Sequence, residues 1–137
     1  MKRFTLLSVL LAGFVIGLQA QSNQYKVVFD ITSKDSSDHK AVLRHAAGMA
    51  DSYKGSDVEV VVYGGAITMV LKDKSIAASD VEKLATSNVK IKVCAVTMKR
   101  YNIDKSMLIP GVEVVPDAIV EIITKQGAGW GYIKEAH

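Results

Sequence analysis

Four short runs dominated by β-branched residues, each followed by a stretch of helical period, constrain this chain more than any other feature. Residues 25–31 (YKVVFDI), 58–63 (VEVVVY), 89–94 (VKIKVC) and 112–115 (VEVV) read as strands. A helix is predicted from a cap at Ser37 or Asp38 to about Tyr53, with Val42, Ala46, Met49 and Tyr53 on one face and Gly55 closing it. Gly64-Gly65 turns the second strand into a short helix near residues 66–71. Ser79 and Glu82 have capping-box spacing ahead of a helix with Val81, Leu84 and Ala85 inward. Two short helical pieces follow near residues 97–101 and 104–108. Pro116 suits the first position of a last helix carrying Ile119, Val120, Ile122 and Ile123. Strict alternation in the third strand puts Val89, Ile91 and Val93 on one face and Lys90, Lys92 and Cys94 on the other. Strand and helix in alternation predict an α/β layer fold around a mainly parallel sheet.

The first twenty residues stand apart from this pattern. Lys2 and Arg3 precede an uncharged, mostly apolar run over residues 4–18, then the small Ala20 and a polar stretch. That is the layout of a secretory signal peptide. Fifteen residues rise about 22 Å as a helix, short of a hydrocarbon core of roughly 30 Å, so cleavage is favoured over anchoring. The expectation is a leader over 1–20 and one domain over 21–137, periplasmic or secreted and off the membrane once cleaved. Without Lys2 and Arg3 the chain holds 15 basic and 14 acidic side chains, a net charge of +1. This is no footprint for nucleic acid. With 49% hydrophobic and 23% charged residues, disorder is excluded.

In open α/β sheets, ligands meet the carboxyl ends of the strands. One such end carries an intrinsically nucleophilic side chain, Cys94, the only cysteine of the chain. Amides at the following helix start would favour its thiolate, as would Lys99 and Arg100 if they fold back. The alternative is a buried thiol that fills space. Cys94 and Arg100 also spell C-x5-R, the spacing of cysteine-dependent phosphatases, but the loop lacks glycine. Gly64-Gly65 reads either as an anion-binding nest or as a plain tight turn. Asp30 is assigned to a turn or cap in preference to a site. His39 and His45 are assigned to the surface, and three scattered histidines give no metal site. Trp130 and Tyr132 are expected to pack the C-terminal segment against the domain or a neighbouring subunit. Met98, Tyr101, Met107 and Leu108 form an apolar set, either interface or core.

Residues 27–31 (VVFDI) open a pattern that continues densely through 89–93, Cys94, Thr97-Met98-Lys99, Ile103-Asp104, Leu108 and 110–114 (PGVEV), and closes with Gly129-Trp130 and 132–134 (YIK). In these residues the chain resembles the DsrE/DsrF-like sulfur-relay family. The resemblance implies a three-layer α/β/α sandwich assembling as a homo-oligomer, a trimer or hexamer. It implies that Cys94 accepts sulfur as a persulfide, with Gly64, Gly65 and Thr97 shaping the substrate pocket. Its partners would be a thiol protein or a small sulfur compound as donor or acceptor, and no metal or organic cofactor is implied. Relay members of the family work in the cytoplasm, whereas this chain has an export layout. Either it handles reduced sulfur outside the cytoplasm or the fold serves another purpose, such as a non-catalytic oligomeric binding module with a packed cysteine.

Overall fold

The computed structural model describes residues 23–136, and the expected leader over residues 1–20 lies outside them. Five strands form one sheet: β1 (Lys26–Ile31), β2 (Asp57–Val62), β3 (Val89–Cys94), β4 (Glu113–Val115) and β5 (Gly131–Glu135). Their order is β4-β3-β2-β1-β5, and every pairing is parallel. Helices α1 (Ser36–Ser52), α2 (Ala78–Ala85), α3 (Ala95–Arg100) and α4 (Ala118–Gly127) connect them, with 3-10 turns at Gly64–Val70 and Lys105–Met107. The expected α/β/α sandwich is the architecture observed.

The two faces of the sheet differ in kind. Under α1, α2 and the 3-10 turn Gly64–Val70 lies the main core, in which Phe29, Ile31, Val58, Val60, Ile91 and Val93 are all nearly inaccessible. Alternation then sends Val28, Asp30, Glu59, Val61, Lys92 and Cys94 to the opposite face. Among the described residues that face is covered by α4 alone, and its apolar cluster is small: Val28, Val61, Cys94, Ala118 and Ile122, with Tyr63 and Trp130 at its margin. The rest of the space under α4 is ionic. Glu59 is fully buried, and its Oε2 lies 3.0 Å from Nζ of both Lys92 and Lys125. Lys92 also reaches Glu121 on α4 at 2.8 Å.

Several local expectations shift. Asp35, not Ser37 or Asp38, caps α1, accepting the Ser37 amide at 2.8 Å. Asp38 lies inside the first helical turn and is buried. The capping-box spacing at Ser79 is not used: Ala77 occupies the N-cap of α2 and makes no side-chain bond. Pro116 stands just outside α4, because Asp117 is the cap and accepts the Ile119 amide at 2.8 Å. Gly55 does adopt the left-handed φ of 84° that ends α1. The strand β5 was not anticipated. It leaves α4 through Gly129 and lies against β1, so the glycines of residues 127–131 serve a helix-to-strand turn.

His39 is also not a surface residue. It is 4% exposed, and its Nε2 lies 2.8 Å from the Ser33 carbonyl, tying α1 to the loop after β1. His45 is exposed as expected and pairs with Glu135 at the end of β5. Of the apolar set after Cys94, Met98 and Leu108 are core, whereas Tyr101 and Met107 are exposed.

Candidate functional site

Three adjacent strands deliver chemistry-bearing side chains to one corner of the α4 face. Register pairs Ile31 with Val62 and Val62 with Val93; the extended residue just after the second strand, Tyr63, continues this line and packs against the cluster that holds Cys94. Alternation keeps Asp30, Val61, Tyr63 and Cys94 on that one face. This corner lies at the carboxyl ends of β1, β2 and β3. It also adjoins the point where the order reverses, since β1–β4 advance in one direction and α4 carries the chain back across to β5. Such switch points are where parallel sheets open a crevice.

Cys94 is 4% exposed, and its Sγ accepts a hydrogen bond from the Ala118 amide at 3.3 Å. That amide belongs to the first residue of α4, one of the donors that a helix leaves without an intrahelical acceptor. The sulfur thus faces the positive end of a ten-residue helix. Lys99 and Arg100 do not fold back toward it. Residues 95–100 are helical, which sets Arg100 at the far, exposed end of α3. A phosphatase loop needs its amides and arginine to converge on one point. A straight helix of about 9 Å between Cys94 and Arg100 separates them, so the C-x5-R spacing does not build a phosphate cradle.

Thr97 and Gly64 are brought together: the Gly64 amide donates to Thr97 Oγ1 at 3.1 Å. Gly64 has a φ of 57°, a conformation that favours glycine, and its amide is committed to this bond. The bond locks the start of the 3-10 turn to α3 just beyond Cys94. Gly65 faces elsewhere. A Cβ at this position would lie 2.5 Å from Lys34 Cγ and 3.0 Å from the Thr32 carbonyl oxygen, so the glycine lets the β1–α1 loop cross. It also lines a cavity of about 350 Å³ with Lys34, Thr68, Lys74 and Tyr101, on the side of the sheet away from Cys94.

Asp30 is the residue the sequence reading undervalued. It caps nothing and turns nothing. It is 3% exposed, and its Oδ2 accepts the Tyr132 hydroxyl at 2.6 Å and the Tyr63 hydroxyl at 3.3 Å. Its Oδ1 lies 3.0 Å from Lys134 Nζ, which also donates to Thr32 Oγ1 at 2.9 Å. The same ammonium stands 5.6 Å from the centre of the Tyr63 ring. Burial, and then the Asp30 charge, push the Tyr63 phenol up to about 12. For Tyr132 the hydrogen bond to Asp30 is the leading cause of a rise to about 12. Trp130 packs inward here too, under the Lys125 ammonium at 4.1 Å.

A parallel α/β sandwich with one cysteine at a strand's carboxyl end, under the start of the returning helix, defines the class of fold. More narrowly, the chain belongs to the DsrE/DsrF-like family, whose profile matches residues 26–134. A structure of a protein of unknown function from Methanobacterium thermoautotrophicum is similar, with a TM-score of 0.76 and 28% identity over 81% of this chain and 99% of that one. The ychN protein of E. coli has a TM-score of 0.69 at 20% identity, covering 82% of this chain and 99% of its own. A conserved protein of unknown function from Bacteroides thetaiotaomicron has a TM-score of 0.65 at 12% identity, over 86% and 98% of the two chains. The last two likenesses concern the fold alone. No curated protein matches the chain significantly.

Proposed function

We propose that this protein is a thiol-based sulfur carrier that holds sulfur as a persulfide on Cys94. The observation that carries the reading is the placement of Sγ at the carboxyl end of β3, bonded to the first free amide of α4. This gives the sulfur a backbone donor at a helix start, and the thiolate is the attacking form of a thiol. The transfer requires a sulfane-sulfur donor and no change in overall oxidation state. The Cys94 thiolate bonds to the donor's outer sulfur, the donor's S–S bond breaks, and the electron pair leaves on the donor's inner sulfur. Return of the sulfur to an acceptor thiol is the same step in reverse. The basic start and apolar run of residues 2–18 support a place of action outside the cytoplasm.

A second reading has an observation of its own. Cys94 is 4% exposed and packs with Val28, Val61, Ala118 and Ile122, as an inert thiol in a binding module would. Intact mass after incubation with inorganic polysulfide separates the two. The carrier gains whole sulfur atoms that reductant or cyanide removes, and Cys94→Ser gains none. No gain in the wild type, with slow alkylation of the folded protein, leaves the packed-cysteine reading.

The proposal includes assembly as a homo-oligomer, a trimer or hexamer. The outward row of α4, Ile119, Val120 and Ile123, is 50%, 60% and 63% exposed and carries no charge. An uncharged row is suited to the same row on another copy, and the near-zero net charge of residues 21–137 adds little repulsion. Light scattering on the eluting protein is expected to give a mass of three or six chains, and Val120→Asp with Ile123→Asp to give one chain. A monomeric wild type overturns this part.

A further inference from the structure

Resting on the sulfur-carrier reading, we infer that the donor is an anionic sulfane-sulfur compound and that the Tyr63 hydroxyl binds the sulfur from which Cys94 takes its atom. Tyr63 continues the line of the second strand and packs against the cluster that holds Cys94. Its hydroxyl is held loosely, because Asp30 Oδ2 takes the Tyr132 hydroxyl at 2.6 Å but that of Tyr63 only at 3.3 Å. Swinging the Tyr63 O–H away therefore leaves the carboxylate still bonded, by Tyr132 on one oxygen and by Lys134 on the other. A buried acceptor would otherwise resist losing a donor.

The phenol is pushed up to about 12, so it keeps its proton and remains a donor throughout the neutral range. Lys134 completes the arrangement. Its ammonium spends hydrogen bonds on Asp30 and Thr32, which leaves a third proton, and it sits on the Tyr63 ring. A hydroxyl donor beside the nucleophilic sulfur, with a cation behind its ring, complements negative charge developing on a second sulfur. In the step itself, the Cys94 thiol proton has gone to solvent. Its sulfur then bonds to the terminal sulfane sulfur of a hydropolysulfide, the adjacent S–S bond breaks, and the pair departs on the shortened polysulfide, which the Tyr63 hydroxyl stabilises, with the Lys134 charge acting through the Tyr63 ring.

Rates of sulfur uptake from inorganic polysulfide, set beside rates of alkylation by uncharged iodoacetamide, test this. Tyr63→Phe is expected to slow uptake about tenfold while alkylation stays within about twofold of wild type, because only the anion uses the hydroxyl. Lys134→Met is expected to slow uptake from polysulfide more than uptake from neutral diallyl trisulfide. Tyr63→Phe at the wild-type uptake rate, or uptake and alkylation falling together, overturns the assignment while the carrier reading stands. A wild type that takes up no sulfur overturns both.

Discussion

Replacing Glu59 with alanine is expected to destabilise the protein by roughly 3–5 kcal/mol, the cost of breaking a buried ion pair from one side. Glu59 is 0% exposed, and the Lys92 and Lys125 side chains that flank it are only 12% and 19% exposed. Without the carboxylate, two ammonium groups face each other under α4 with only Glu121 to balance them. Burial pushes Glu59 up, and the two lysines pull it back toward ionisation. Among the described residues neither of its oxygens has a well-aligned hydrogen bond, so the charge contacts of Oε2 with the two lysines are what hold it. Thermal unfolding should show a loss of roughly 10 °C or more. Glu59→Ala together with Lys92→Met should recover part of that loss, since the pair is then removed as a unit. A Tm within a degree or two of wild type for the single variant would mean that the cluster contributes nothing net.

The second large effect is alkaline. Burial and the Asp30 carboxylate push the Tyr63 and Tyr132 phenols up to about 12 from an ordinary 10.0, and Lys92 is raised as well by its two glutamate partners despite burial. Between those limits the native state holds protons that the unfolded chain has released. Stability is therefore full below about pH 10 and falls as pH rises toward 12. Denaturant midpoints measured across this range should decline steadily. Phenolate absorbance should show two of the five tyrosines titrating late in the folded protein. Asp30→Asn removes the charge that both phenols sense, and should bring them down toward the ordinary value, Tyr132 further than Tyr63, whose rise is led by burial. Five tyrosines titrating together in the wild type would contradict the Asp30 geometry.

The strands and helices that proved legible are those with one face in the main core. There, apolar period and burial coincide, as in Val42 and Ala46 of α1 or Val89, Ile91 and Val93 of β3. The strand β5 was not, because it is an edge: its five residues are mostly exposed and its sequence, GYIKE, has no apolar face to give it a period. Cys94 was found by its position at a strand end. Asp30 was placed in the wrong role because its partners Tyr132 and Lys134 lie 102 and 104 residues away, which no local pattern can show. Glu59 was passed over, although a signal was present. Charges inside strands of a parallel sheet covered on both sides must be compensated, and Glu59 and Lys92 share a face of neighbouring strands.

The Asp30 carboxylate is synthesised early and two of its three side-chain contacts late. A nascent chain that has emerged as far as Gly129 already contains β1 to β4 and α4, yet lacks Tyr132 and Lys134. Its candidate site is then a buried acid with one long hydrogen bond to Tyr63. With α4 already on the sheet, docking of β5 adds only the short turn through Gly129, but it cannot begin until residues 131–135 are made. An intermediate in which β5 has not yet docked would thus hold Cys94 in place under α4 while the donors on both oxygens of Asp30 are still missing.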